Sequence, residues 1–262
     1  MGAGHFPVLL AIIMAITLGM TYTVAVWRKD VDPVFPYISS TGSKRPESCI
    51  FGQLLNIGAF LSMIIVYLRY RLVKELNRNA DLKLYWLNML GAYMGLLAAI
   101  GMTLVANFQE SAVLSVHLLG AFTCFGFGVL YSLVHTVISY RMCPLYNGIR
   151  ICRIRGFIAV LNLAAFVVAV VTGKLAAMEW HERSPNTSRP RPWLPMHPGY
   201  QLHVVSAVCE WLLAVAFGIF LLSFSRDFEK LRVAVTVEPL VQHLDENPVL
   251  SPSRDQQEPV FT

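Results

Sequence analysis

Charged residues are scarce in this chain. Only 14% of its 262 residues are Asp, Glu, Lys or Arg, and 55% are hydrophobic, whereas soluble globular domains carry about 25% charged residues. The scarcity excludes an ordinary soluble globular protein. The net charge is a modest +5, from 21 basic and 16 acidic residues, and the basic residues lie between apolar runs. This pattern indicates contact with anionic lipid head groups and predicts no nucleic-acid partner.

The sequence also lacks the local motifs of metal and nucleophile sites. Neither the GxSxG of a nucleophile elbow nor the HExxH of a zinc protease occurs. The cysteines are far apart without a CxxC pair, which predicts neither a zinc site nor a disulfide framework; they are Cys49, Cys124, Cys143, Cys152 and Cys209. We therefore expect no cofactor and no bound metal, and a non-enzymatic protein is favoured although catalysis is left open.

Long apolar runs dominate what is present. A spanning helix needs about 20 consecutive apolar residues, and the sequence predicts six such helices, at 6–27, 48–68, 84–107, 112–140, 155–173 and 201–224. The apolar cores of the first five contain no charged residue, and the last is interrupted by Glu210. The expected fold is an all-α six-helix transmembrane bundle over residues 1–228, followed by a cytoplasmic, largely disordered tail over 229–262.

The distribution of lysine and arginine predicts the orientation. More of the 21 basic residues fall on the side of the bundle that carries both termini, and basic loops favour the cytoplasm. Both termini are therefore predicted to be cytoplasmic. On that side, basic residues at helix ends are candidates for anionic head groups: Arg69, Arg71, Lys74, Arg150, Arg153 and Arg155. The same orientation places the glycosylation sequon at Asn186 in a long lumenal loop, 174–199.

Glu210 is the main candidate for a functional residue. A carboxylate inside a spanning segment is costly, and by default it marks function with a polar partner nearby. Candidate partners are His117, Asn56 and His203, the last lying seven residues before Glu210 and so on nearly the same helical face. Two interpretations stay open: a polar contact that ties helices together, or a site for a lipid head group, a proton pathway or metal-assisted hydrolysis.

Small residues form a ridge along the fourth predicted helix. They recur at four-residue spacing, which places them on one face where another helix can approach closely: Gly120, Cys124, Gly128 and Ser132. A GxxxG pair, Gly91 and Gly95, lies on the third helix. Packing within the bundle is the favoured interpretation, and a homodimer through the same ridge is the alternative.

The first predicted lumenal loop is rich in turn-forming residues, which predicts an ordered cap. Asp32 and Glu47 are candidate polar contacts there, with lumenal basic residues or ions. A solvated loop surface is the competing interpretation.

Several short segments together resemble the Frag/DRAM/Sfk family of six-helix membrane proteins. They are PYISSTG at 36–42, PESCIFG at 46–52, LNI at 55–57, VANFQ at 105–109, HLLGA at 117–121 and RDF at 226–228. The first loop is most similar to that of the damage-regulated autophagy modulator branch. This resemblance implies a lysosomal or endosomal membrane and a role in autophagy. Related branches act with a phosphoinositide kinase at the plasma membrane, or in remodelling glycolipid anchors.

The resulting hypothesis is a multi-pass endolysosomal protein that modulates autophagy through contacts with lipids or a membrane-protein partner. Two alternatives come from other classes. One is an intramembrane lipid-modifying enzyme or transporter centred on Glu210, His117 and His203. The other is a plasma-membrane scaffold for a phosphoinositide kinase.

The predicted orientation is testable at the sequon. Substituting Asn186→Gln is expected to remove a glycosidase-sensitive shift of the expressed protein on a denaturing gel, because only a lumenal sequon is glycosylated. A wild-type protein without any such shift would contradict the lumenal placement of this loop.

Overall fold

The computed structural model describes residues 2–78, 80–185 and 187–234. Within those residues, six helices are long and apolar enough to cross a bilayer, so the all-α six-helix bundle is confirmed. In chain order the helices are α1 (His5–Trp27), α2 (Ile38–Thr41), α3 (Glu47–Asn77), α4 (Leu82–Asn107), α5 (Leu114–Arg141), α6 (Ile149–Arg183), α7 (Tyr200–Leu222) and α8 (Ser225–Phe228). The two short helices α2 and α8 were not predicted from the sequence.

Two helices are longer than their apolar runs. The predicted 48–68 helix continues to Asn77, and the predicted 155–173 helix begins at Ile149 and continues to Arg183. The added segments contain Ala, Leu, Lys, Glu and Arg, which are good helix formers, so the helix persists where hydrophobicity stops. At 1.5 Å per residue, α6 is about 52 Å long, well beyond a hydrocarbon core of about 30 Å. The expected long loop at 174–199 is correspondingly shorter.

The two ends of the described chain meet at one end of the bundle. The Ala3 amide donates to the carbonyl oxygens of Phe228 (3.0 Å) and Leu231 (3.2 Å). The Ser225 hydroxyl donates to the Gly4 carbonyl at 2.6 Å, and an isolated antiparallel bridge joins Gly2 to Arg232. We call this the termini end, and the opposite end, which carries α2, the loop end.

The small-residue ridge of α5 is filled within the chain. A side chain at Gly120 would meet Leu104 Cβ at 2.7 Å, and one at Gly128 would meet the Phe217 ring at 2.7 Å. On α4, Gly101 faces the backbone of Cys124, a close approach that the sequence reading missed. The ridge therefore serves packing of α5 against α4 and α7, and a homodimer would need another surface.

The other predicted packing residues also face neighbouring helices. A side chain at Gly91 would meet His135 Nε2 at 2.7 Å, and one at Gly95 would meet Val66 Cγ2 at 2.5 Å. Ser132 is fully buried, and its hydroxyl donates to the Val129 carbonyl.

Two buried arginines share one carboxylate at the termini end. Arg69 and Arg155 are 1% and 0% exposed, and both donate to Asp227 Oδ2, at 3.0 Å and 2.8 Å. Both guanidinium groups also lie over the Phe224 ring, with their carbons 4.7 Å and 4.6 Å from its centroid. Arg155 also donates to the hydroxyls of Ser139 and Ser223. These arginines are thus structural, which corrects their assignment to the head-group surface.

Removing the shared carboxylate is expected to destabilise the bundle. Asp227→Ala leaves two buried guanidinium groups without a counter-charge, which costs about 3–5 kcal/mol. The matched control is Glu75→Ala, because Glu75 is 66% exposed and pairs with Arg71 one turn away; losing such an exposed pair should change stability very little. Thermal unfolding in detergent measures both. Equal shifts in the two variants would show that the buried pairing is not stabilising.

Candidate functional site

Glu210 anchors the loop-end cap to α7. Its Oε2 accepts a hydrogen bond at 3.3 Å from the amide of Ile38, the first residue of α2. The next residue, Trp211, donates through Nε1 to the Pro36 carbonyl at 2.9 Å, and Tyr22 of α1 packs edge-on against the Trp211 ring. The carboxyl group of Glu210 is therefore the hydrogen-bond acceptor for the first backbone amide of α2.

Two cavities meet at Glu210. One of about 150 Å³ runs through the bundle between α1, α3, α4, α5 and α7 and reaches Tyr131. The other, of about 510 Å³, lies between α5, α6 and α7 beneath α2. Glu210, His117 and Ser39 border both. The structure therefore places Glu210 and one of its candidate partners, His117, beside the same two cavities.

His117 is held in one tautomer by its surroundings. Its Nδ1 lies 2.8 Å from the Phe108 carbonyl oxygen, and a carbonyl only accepts, so Nδ1 carries the proton. In the neutral imidazole, Nε2 is then an acceptor. This hydrogen bond joins the first turn of α5 to Phe108, the residue that follows α4. The His117 ring also borders both cavities.

The larger cavity forms a cleft with one apolar and one polar part. We call it the α5–α6 cleft; its apolar walls include Leu118, Phe122, Phe125, Phe166 and Val170, and its polar residues include Tyr37, Glu110, Lys174, His181, Arg189 and Glu210. Burial raises the pKa of Tyr37 to about 12, so this phenol is neutral. Sequence reasoning missed Glu110, Tyr37, Lys174 and Arg189, because they come from four distant segments and share no spacing signal.

The remaining polar candidates lie elsewhere. His203 is buried between Tyr37, edge-on at 4.5 Å, and Trp193, stacked at 4.6 Å. Asn56 forms a reciprocal amide pair with Asn107, with both hydrogen bonds at 3.1 Å. Neither residue borders either cavity. Asn186, the predicted glycosylation site, lies outside the described residues.

Ion pairs join the two ends of the first loop. Glu47 is 1% exposed, and its Oε1 lies 3.1 Å from Arg28 Nε; Asp30 lies 3.2 Å from the same nitrogen and 2.8 Å from Lys44 Nζ. The hydrogen bond from Lys44 holds the pKa of Asp30 below its ordinary value of 3.8. Because the pKa of Asp30 is lower in the folded protein than in the unfolded chain, its pairing with Lys44 contributes fully to stability above the ordinary pKa of 3.8. This contribution is lost as the pH falls through the lower pKa of the folded state.

Asp32 has a local role in the same loop. Its Oδ1 accepts from the Val34 amide at 2.7 Å, the turn geometry typical of aspartate. Of the two predicted loop contacts, Glu47 forms an ion pair and Asp32 shapes the backbone.

The fold and the site define a six-helix integral membrane protein with a capped polar site inside one end. The chain belongs to the Frag1/DRAM/Sfk1 family, because residues 2–231 match the domain described as Frag1/DRAM/Sfk1/Cwh43P N-terminal domain. The family expected from the sequence is therefore confirmed.

Its relatives are named as modulators of autophagy. The chain is 36% identical over 237 residues to DNA damage-regulated autophagy modulator protein 1 of Homo sapiens, covering 90% of this chain and 95% of the relative. It is 36% identical over 242 residues to DNA damage-regulated autophagy modulator protein 2 of Bos taurus, covering 91% and 90%. It is 33% identical over 194 residues to the modulator of macroautophagy TMEM150B of Xenopus tropicalis, covering 74% and 71%. No solved structure matches the chain.

Removing the Glu210 acceptor is expected to loosen the cap. Glu210→Leu leaves the Ile38 amide without its partner, and an unsatisfied buried donor costs about 1–3 kcal/mol. Hydrogen–deuterium exchange in a peptide covering 36–42 should then accelerate by roughly 5- to 150-fold. Glu210→Gln retains an acceptor oxygen and should exchange nearly as slowly as wild type.

The neighbouring lipid-facing residue provides the control. Val208→Leu alters an exposed position on α7 and should leave exchange in this peptide unchanged. Slow exchange in Glu210→Leu would contradict the anchoring role.

Proposed function

We propose that this protein modulates autophagy from the lysosomal or endosomal membrane, without catalysis, through contacts of its loop end with lipids or a membrane-protein partner. The relatives that are named autophagy modulators support a role in autophagy, because the match to them covers nearly the whole described bundle. The observation that carries the mode of action is the meeting of two cavities at Glu210 and His117, under a cap held by backbone hydrogen bonds.

In the proposed orientation, the termini end faces the cytoplasm and the loop end faces the lumen. Because Arg69 and Arg155 pair with Asp227, four of the basic candidates for head-group contact remain, and all four are exposed: Arg71, Lys74, Arg150 and Arg153. Each can contribute about 1 kcal/mol of attraction to an anionic leaflet. These four are the proposed contacts with anionic head groups on the cytoplasmic side.

A second candidate function is an intramembrane lipid-modifying enzyme or transporter. A specific observation favours it: Glu210 and His117 border the same apolar cavities, and carboxyl and imidazole groups are the usual general acids and bases of enzymes. The third candidate, a plasma-membrane scaffold for a phosphoinositide kinase, differs in where the protein resides.

Deletion of the gene is expected to change autophagic flux, and the tagged protein is expected to co-fractionate with lysosomes. Wild-type re-expression should restore the flux, and Glu210→Gln should restore it equally, because the amide keeps the hydrogen bond to Ile38 while it removes acid–base chemistry. The measurements are flux with and without lysosomal inhibition and organelle fractionation.

The outcomes separate the three candidates. Unchanged flux together with absence from lysosomes would refute the proposal, and enrichment in the plasma membrane would favour the scaffold. Failure of a normally folded Glu210→Gln protein to rescue would favour the enzyme or transporter.

A further inference from the structure

The α5–α6 cleft changes from apolar to cationic along its length. Its α6 wall runs from Phe166 to His181, a distance of about 22 Å at 1.5 Å per residue. The inner half is lined by phenylalanines, including Phe122, Phe125 and Phe166, whereas Lys174 and His181 lie toward the loop end. Arg189 joins them from the loop after α6. A lipid has the same order, with its chains in the bilayer core and its head group at the interface.

The cleft has the size and the position to take up a lipid from the side. Its volume of about 510 Å³ lies within the usual range of ligand pockets, about 300–1,000 Å³. Two of its lining residues, Phe122 and Val170, are 57% and 42% exposed, and in a bilayer this apolar surface faces lipid. The cleft therefore borders the acyl chains directly.

Hydrogen-bond acceptors line the same cleft as the cations. Glu110 accepts through Oε2 from the Ser40 hydroxyl at 2.9 Å, and Glu210 accepts through Oε2 from the Ile38 amide. Both carboxylates border the same cleft as Lys174 and Arg189. The polar part thus presents both cations and acceptor oxygens to one cavity.

We propose that the α5–α6 cleft binds one phospholipid whose head group carries a primary ammonium, as phosphatidylethanolamine does. Lys174 and Arg189 bind the phosphate, the Glu110 carboxylate accepts from the ammonium, and one acyl chain lies along Phe122 and Phe166. Charge-assisted hydrogen bonds require N–H donors, which a choline group lacks, and a bare phosphate monoester would leave Glu110 without a cationic partner.

This inference deepens the proposed function, since it names the lipid that the loop end would contact. The test measures lipid binding to the purified full-length protein, whereas the autophagy proposal is tested in cells. A failure of one can therefore be distinguished from a failure of the other.

The test compares three lipids with identical 18:1 chains: phosphatidylethanolamine, phosphatidylcholine and phosphatidic acid. Each is added to delipidated protein in detergent, and binding is measured by native mass spectrometry. We expect phosphatidylethanolamine to bind roughly tenfold more tightly than either of the others, the effect of about one charge-assisted hydrogen bond. Equal binding of all three, or a preference for phosphatidic acid or phosphatidylcholine, would overturn the proposal.

Substitutions in the polar part of the cleft test the ammonium contact and the phosphate contacts separately. Glu110→Gln should reduce the preference for phosphatidylethanolamine over phosphatidylcholine without weakening phosphatidylcholine. The double substitution Lys174→Ala with Arg189→Ala should weaken all three lipids about tenfold. Arg183→Ala is the control, because Arg183 is an exposed residue of α6 that pairs with Glu179 and does not border the cleft.

A matched pair of substitutions tests the location. Val170→Trp fills the cleft and should abolish the selective binding. Val171→Trp adds the same side chain at the next residue, which is similarly exposed (49%) but lies outside the cleft, and it should bind like wild type. Unchanged binding in Val170→Trp, or the same loss in both variants with normal thermal unfolding, would refute the assignment to this cleft.

Discussion

Hydrocarbon offers no hydrogen-bond partner, so a polar group carried into the membrane can be stabilised only by partners within the protein. The residues named below find such partners differently at the two ends of the bundle. At the termini end, Asp227 compensates two buried guanidinium groups and joins α3, α6 and α8. At the loop end, Glu210 and His117 are each hydrogen-bonded to backbone atoms. The first arrangement is a closed ion cluster, whereas the second borders open volume, and this difference makes the loop end the candidate for function.

The bundle could be predicted because the thickness of the hydrocarbon core fixes the length of an apolar run. The helix ends were harder to predict, because hydropathy indicates where an apolar segment ends and not where the helix ends. Helices α3 and α6 continue through charged, helix-favouring segments to Asn77 and Arg183. Arg69 and Arg155 were misplaced for a related reason. Counting charges along loops treats each one as solvated, and only the fold brings distant Asp227 between them.

The candidate site was predicted in part. Glu210 was identified because a carboxyl group within an apolar segment is costly and by default indicates a functional residue. One of its proposed partners, His117, lies beside the same cavities. His203 shares a helical face with Glu210 but is seven residues away, about 10 Å along the axis, so it packs among the aromatic rings of the cap. Asn56 is satisfied by Asn107, a pairing across two helices that no spacing rule in one sequence reveals.

The way the cap is fastened bears on what kind of ligand the loop end can receive. Glu210 and Trp211 hold the segment around α2 through its backbone, and Ser40 ties the same helix to Glu110 beside the start of α5. A cap fixed at three points restricts approach from the aqueous side. The α5–α6 cleft, in contrast, has exposed apolar walls that face the bilayer. Lateral access of this kind favours a ligand that is already a component of the membrane, and the polar groups at the depth of the interface then select among head groups rather than among solutes.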